Sequence, residues 1–94
     1  MRISRQAEAE FPNFSSHEEA RDYFKNTYGE QFVLVSSHVI DGTKVHFYAL
    51  LLNPPVFKDG QKKIQQGEFV LGLEYLESYQ SIEIFEDGRI HIIH

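Results

Sequence analysis

The sequence predicts an α+β protein in which two β-hairpins form an antiparallel sheet of about four strands, packed on an N-terminal helix over residues 16–28. Three observations predict this fold. A capped amphipathic helix comes first, and two β-rich segments follow, each interrupted by Asp-Gly. Between them, Asn53-Pro54-Pro55 ends the first hairpin, because proline cannot continue a paired strand.

Length and composition indicate one domain over residues 1–94, in which residues 1–10 are expected to form a flexible arm. The chain is 41% hydrophobic and 14% aromatic, enough apolar material for a packed globule. It has no cysteine, which excludes disulfides and thiolate chemistry. The segment MRISRQAEAEFPNF has no apolar core of the kind a secretory signal needs, and no apolar run is long enough to span a membrane. We therefore expect a cytoplasmic protein without a membrane segment.

The first helix has clear signals at both ends. Ser15 or Ser16 can cap it, and each has a glutamate three residues later, the spacing of a capping box. Gly29 stands where a helix commonly ends in the left-handed conformation. One face of the helix collects its apolar side chains, which are Ala20, Tyr23, Phe24, Thr27 and Tyr28.

The first hairpin turns at Asp41-Gly42, and its register can be predicted from the apolar pattern. A two-residue loop would pair His38 with Val45 and so mix polar with apolar residues. A three-residue loop starting at Ile40 gathers apolar side chains on one face, so we predict that register. The predicted core face then comprises Val33, Val35, Val39, Val45, Phe47, Ala49 and Leu51.

The second hairpin gives the same kind of answer. A loop of Glu86-Asp87-Gly88 pairs residue 84 with 90 and residue 82 with 92, which places four isoleucines on one face. Glu83 then faces His91 on the other face. We expect this pair to be structural, as His91 and His94 lie three apart on a strand and point to opposite faces.

The segment between the hairpins is less definite. Residues 56–67 read as a loop with one helical turn over residues 61–66. Residues 68–79 fit both a strand and a helix, and their leucine and glutamate content favours a helix. A helix there would give the element order α-ββ-α-ββ.

Candidate chemistry centres on the histidines, yet we predict no catalytic, cofactor-binding or metal-binding residue. His38 and His46 share a face in the predicted register, and a metal there would need a third ligand that the sequence does not indicate. Glu86 and Asp87 belong to a tight turn and are expected to be solvated. The segment Ser15-Ser16-His17 is interpreted as a helix cap and not as part of a catalytic triad.

The face of the first hairpin opposite the predicted core is too apolar to lie open to water. We expect the middle segment, a second protomer, or a foreign partner or ligand to cover it. The candidate interface or ligand residues on this face are Phe32, Leu34, His38, His46, Tyr48 and Leu50.

Three functions remain open from the sequence. The leading hypothesis is a small acidic, non-enzymatic domain that acts through protein–protein contact, principally as a homodimer, with an interface at Phe32, Leu34, His46 and Tyr48. The second is a small-molecule-binding protein or enzyme with a pocket lined by His38, His46 and Tyr48. The third is an acidic inhibitor or immunity-type protein for a basic partner, which only the net charge of −5 supports. Nucleic-acid binding is disfavoured, because the one basic cluster, over residues 58–63, is diluted by Asp59.

Overall fold

A computed structural model describes residues 2–70 and 72–94, and it confirms the α+β fold: four antiparallel strands in the order β1-β2-β3-β4, with helices packed on the sheet. Met1 of the predicted arm and Leu71 of the ambiguous segment lie outside these residues. The elements are α1 (Arg5–Ala9), α2 (His17–Tyr28), β1 (Phe32–Ile40), β2 (Thr43–Leu51), α3 (Pro54–Gln65), α4 (Leu73–Leu76), β3 (Tyr79–Phe85) and β4 (Ile90–Ile92), with a 3-10 turn at Gly29–Gln31.

Helix α2 is the predicted first helix. The Ser16 side chain accepts a hydrogen bond from the Glu19 backbone N–H, and the Glu19 carboxylate accepts one from the Ser15 N–H. Gly29 ends the helix with a φ of 62°. Ala20 and Phe24 are buried from this helix, so its apolar face packs on the sheet as expected.

The first hairpin corrects the predicted register. Its loop has two residues, because Ile40 pairs with Thr43, and Asp41 and Gly42 both take positive φ angles of 52° and 79°. Such a turn matches the right-handed twist of the strands, and Asp-Gly suits it. An irregularity between Leu34 and Ser36 then shifts the register by one residue, so that Val33 pairs with Ala49 as predicted.

The predicted core face was therefore wrong along part of β1. Val35 and Val39 are exposed, while Val45, Ala49 and Leu51 are buried. Helix α2 packs on the opposite face, the one we had expected a segment or partner to cover. That face holds the larger core, which includes Ile3, Phe24, Phe32, Tyr48, Leu50, Ile82, Ile84 and Ile92.

Helices α3 and α4 cover the other face of the sheet. Phe57 of α3 packs against Ala49 and Leu51, with Tyr75 and Tyr79 around it. The prediction of a loop was wrong for residues 56–60, because Pro54 and Pro55 stand at the start of a helix, where a missing N–H costs nothing. The helical turn predicted over residues 61–66 is the last part of this helix, which ends at Gln65. The helical interpretation of residues 68–79 is confirmed only for Leu73–Leu76, since β3 already begins at Tyr79.

The second hairpin has the predicted register: Ile82 pairs with Ile92, Ile84 with Ile90, and Glu83 with His91. Gly88 takes a φ of 93°, and a Cβ at this position would collide with the backbone of Phe14 and Ser16. The start of α2 therefore lies directly on the β3–β4 turn. The His17 backbone N–H donates to the Glu86 carbonyl at 3.1 Å, which fixes the two residues side by side.

The N-terminal segment is docked, where the sequence led us to expect a free arm. It forms α1, and Ile3 is buried in the larger core. The Gln80 side chain accepts a hydrogen bond from the Ile3 N–H at 2.7 Å and donates to the carbonyls of Ile3 and Ile93. His94, which a frayed terminus would leave free, lies with Nε2 2.5 Å from Glu8 Oε1.

Over residues 2–70 and 72–94, none of the helices combines the length and the apolar character that crossing a membrane would require.

Candidate functional site

His46 occupies the centre of the candidate site. It is only 7% exposed, although it is a titratable side chain in the middle of the sheet. Its Nδ1 lies 2.8 Å from Ser37 Oγ, the residue paired with it across the first hairpin. Its Nε2 lies 3.0 Å from Glu86 Oε1 in the β3–β4 turn. Both ring nitrogens therefore have polar partners, as a buried imidazole requires.

His17 adds a second imidazole. It is the first residue of α2, and the docking of this helix on the turn places its ring over His46. The ring centroids are 3.6 Å apart and the planes differ by 12°, so the two rings are stacked. His17 Nε2 lies 2.7 Å from the hydroxyl of Tyr48, which is buried beside His46 on β2.

The electrostatics of the group favour a neutral His17. Burial lowers the pKa of His17, and the neighbouring His46 lowers it further, against the opposing effect of Glu86. The hydrogen bond from His46 holds the pKa of Glu86 below its usual value. Burial raises the pKa of Tyr48, so its hydroxyl keeps its proton at neutral pH. At pH 7 the site thus contains a carboxylate, a phenol and at least one uncharged imidazole.

A cavity of about 530 Å³ opens beside the histidines, between α2 and the first hairpin. Arg21 and Lys25 of α2 line one wall; the Arg21 guanidinium also pairs with Asp22 at 3.2 Å, and Lys25 Nζ donates to the Phe32 carbonyl at 3.1 Å. The remaining lining residues are His17, Phe32, Val33, Leu34, Ser37, His46 and Tyr48. The cavity therefore combines an apolar floor with hydrogen-bonding groups and two cations.

The structure brings together four of the six candidate residues: Phe32, Leu34, His46 and Tyr48 all line this cavity. The fifth, Leu50, is buried in the core beneath α2. His38 lies on the opposite face, with its ring 5.7 Å from that of Phe47, because the two-residue turn pairs it with Val45. Phe32, Tyr48 and Leu50 are almost fully buried in the folded chain.

Sequence reasoning missed His17 and Glu86 as partners of His46. His17 was interpreted only as part of a helix cap and Glu86 only as a solvated turn residue. No local pattern joins them, since residues 17, 46 and 86 meet through the docking of α2 on the second hairpin. The Ser37–His46 pair was within reach of the sequence, because the rejected two-residue loop places these residues opposite each other.

His17, His46 and Glu86 also have the residue types of a metal site. Each offers one ligand atom, and these atoms all lie within 4.8 Å of one another. By contrast, His91 makes the expected surface pair with Glu83, with Nδ1 3.3 Å from Oε1.

Comparisons with protein-family models, with curated proteins and with solved structures find no match to this chain. Its function must therefore be argued from the site itself.

Proposed function

We propose that this protein binds a small anionic molecule with an apolar body in the cavity between α2 and the first hairpin. The observation that carries the proposal is the convergence of His17, His46 and Tyr48 on a cavity of about 530 Å³. Small-molecule sites have volumes of about 300–1,000 Å³ and combine apolar walls with a few placed polar groups. This cavity has that size and that composition.

The charges of the cavity favour an anion. Arg21 and Lys25 line it, whereas the whole chain carries a net charge of −5, so the basic wall is a local feature of an acidic protein. Arginine and lysine are the usual partners of carboxylates and phosphates. The Tyr48 hydroxyl, which lines the cavity, can add a hydrogen bond that fixes the orientation of the ligand.

The apolar floor favours a ligand with a ring or a short chain. Phe32 and Val33 form part of it, and Leu34 stands at the rim with 57% of its surface exposed. A ligand that covers this leucine would remove apolar surface from water at about 25 cal/mol per Å². Benzoate and phenyl phosphate have the required combination of an aromatic ring and an anionic group.

The experiment titrates benzoate, phenyl phosphate and neutral benzamide into the isotope-labelled protein and follows the backbone amide signals. We expect the two anions to shift the signals of Arg21, Leu34 and Tyr48, and neutral benzamide to bind more weakly. The variant Leu34→Asp should weaken the binding of both anions, because it introduces a carboxylate at the rim of the cavity. Leu76→Asp is the matched control, since Leu76 is also 57% exposed but lies outside the cavity. Equal affinities in the two variants, or shifts confined to other surfaces, would refute the proposal.

Protein–protein contact is a second candidate, favoured by the edge strand β1. This strand lies at one end of the sheet, is nine residues long and contains no charged residue. Leu34, Val35, Val39 and Ile40 are exposed along it. Natural edge strands are usually short, charged or covered, because open edges pair with other strands. The β1 strand of a second copy, paired antiparallel, would extend the two sheets into one.

Sedimentation over a wide concentration range tests this second candidate. We expect the wild-type chain to form a dimer and Val39→Lys to be monomeric, since a charge on an edge strand opposes pairing. Leu73→Lys is the control, because Leu73 is 70% exposed and Val39 is 69% exposed. A monomeric wild type, or a dimer that Val39→Lys leaves intact, would exclude self-association through β1.

A cytoplasmic location stays a prediction that cell fractionation would test.

A further inference from the structure

The surroundings of His46 resemble those of a metal-binding histidine. In such histidines one ring nitrogen binds the ion, and the other donates its hydrogen to an oxygen that fixes the tautomer and orientation of the ring. Here Nδ1 lies 2.8 Å from Ser37 Oγ, while Nε2 points to Glu86. The Ser37 hydroxyl is thus placed to hold the ring with Nε2 directed at the carboxylate.

The contact between His46 Nε2 and Glu86 Oε1 is one that a divalent ion can replace. At 3.0 Å these two atoms must share a proton, because a bare nitrogen lone pair and a carboxylate would repel each other. A divalent cation bound between them would take the place of this proton. His17, whose ring is stacked on that of His46, offers one further ligand atom within 4.8 Å of the other two.

The distances allow an ion after a small rearrangement. The three ligand atoms lie within 4.8 Å of one another. Tetrahedral zinc with bonds of about 2.0–2.1 Å needs ligand atoms about 3.4 Å apart, so an approach of about 1.4 Å is required at most. The Glu86 side chain is half exposed in a turn and can rotate. The His17 ring must also rotate out of the stack. The lone pair of each ring nitrogen lies in the plane of its ring, so two parallel rings cannot both direct a lone pair at the same ion.

The position facing the cavity would stay open. His17 and His46 line the cavity, so an ion held by them and Glu86 would present its remaining coordination position to it. Arg21 opposes a cation near His17, whereas Glu18 and Glu86 favour one. Three protein ligands and one open position are typical of zinc sites that bind a water molecule or a ligand, and not of closed structural sites.

We propose that His17, His46 and Glu86 bind one divalent transition-metal ion, for which two imidazoles and a carboxylate make Zn²⁺ the best-matched candidate. This proposal goes beyond the small-molecule cavity and does not depend on it, because the ion alone is the probe. A bound ion would add positive charge at the cavity, consistent with an anionic ligand but not required for one.

Calorimetric titration of zinc chloride into the chelator-treated protein tests the proposal. We expect one zinc ion per chain, and Glu86→Gln should weaken its binding by at least about tenfold through loss of the charged ligand. Glu83→Gln is the matched control, since Glu83 pairs with the exposed His91, outside the proposed site, and its replacement should leave zinc affinity unchanged. Zinc binding that Glu86→Gln leaves intact, or no binding to the wild type, would overturn the proposal.

A second readout needs no variant. On addition of one equivalent of zinc to the wild-type chain, the ring signals of His17 and His46 should shift as the stack opens, while those of His38 stay in place. Shifts confined to His91 and His94 would instead locate the ion at the C-terminus and overturn the proposal. Benzoate binding that persists in Glu86→Gln while zinc binding is lost would support the metal site and the cavity as separate properties.

Discussion

At the scale of single residues, Gly88 meets two requirements at once. Its φ of 93° lies in the region that residues with a Cβ rarely adopt, and a Cβ at this position would collide with the backbone of Phe14 and Ser16. Gly42 meets only the first requirement, since a Cβ there would meet nothing within 4 Å. The close approach at Gly88 is what places His17 beside Glu86, so this glycine builds the site without contributing a side chain to it.

Gly88→Ala should therefore destabilise the protein more than Gly42→Ala. Each change carries the cost of a left-handed backbone, about 1–2 kcal/mol for a residue with a Cβ. Only Gly88→Ala adds a collision with the backbone of Phe14 and Ser16, the residues that precede α2. Urea unfolding of both variants gives the two free energies. Equal losses would mean that α2 does not sit against the turn as closely as described.

Tyr79 predicts an alkaline limit to stability. Burial raises its pKa above the usual value of 10.0, and Tyr75 nearby raises it further. A raised pKa in the folded state stabilises the protein fully below pH 10, and this contribution is lost as the pH rises through the folded value. The free energy of unfolding should thus fall above about pH 10.

The variant Tyr79→Phe removes this titration, so its unfolding free energy should fall less steeply between about pH 9 and 11. Tyr28 and Tyr48, whose pKa values burial also raises, would contribute to the remaining fall. Denaturant unfolding at several pH values, with short incubation, measures both slopes. If the unfolding free energies of the wild type and Tyr79→Phe fell equally steeply with pH, Tyr79 would contribute nothing to the loss of stability at alkaline pH.

At the scale of elements, the first hairpin decides which residues share a face. Asp41-Gly42 forms a two-residue turn, and the irregularity at Val35 restores the register farther along the strand. Between these two features the faces of β1 are exchanged relative to the predicted pattern. Ser37 consequently faces His46, and His38 does not. The two-residue turn thus places His38 and His46 on opposite faces of the sheet, and His46 packs with His17 instead.

Helix α3 has a comparable role on the other side of the sheet, where Phe57 is its main buried side chain. We expect Phe57→Ala to cost about 3–5 kcal/mol, the usual loss for a buried phenylalanine. Phe69→Ala is the control, because Phe69 is 91% exposed and its loss should change stability by less than about 0.5 kcal/mol. Thermal and denaturant unfolding compare the two. Similar small losses would mean that α3 does not hold this face.

At the scale of the whole molecule, the sheet is covered on both faces and the chain ends are joined through Gln80. Helices α1 and α2 lie over one apolar face, and α3 and α4 lie over the other. The Gln80 amide, which is 1% exposed, bonds to the backbone of Ile3 near one terminus and of Ile93 near the other. A single buried side chain thus couples the first and last segments to the centre of the sheet.

Gln80→Met should keep the volume of this side chain but leave the backbone N–H of Ile3 without its partner. Each buried polar group left unpaired costs about 1–3 kcal/mol. We therefore expect residues 2–10 to separate from the sheet more often than in the wild type. Hydrogen exchange should then show faster exchange over residues 2–10 than in the wild type. The control is Gln66→Met, at an exposed position. Unchanged protection in Gln80→Met would show that α1 is held by apolar contacts alone.

The sequence by itself determined the elements whose signals are local. The capped helix from His17 to Tyr28 needs only Ser16, Glu19 and Gly29, and the four-isoleucine hairpin needs only its alternation and Gly88. Local geometry fixes both, because each hydrogen bond and turn involves neighbours within a few residues. The α+β fold followed from these elements, since each apolar face must be buried against another.

Only the tertiary structure decided which face of the sheet α2 covers, that Pro54 and Pro55 begin a helix, and which groups surround His46. The first hairpin carries apolar residues on both faces, so periodicity could not choose between them. His17, His46 and Glu86 meet because one glycine allows α2 to touch a turn some seventy residues away along the chain. Such contacts arise from the packing of whole elements, and no local pattern encodes them.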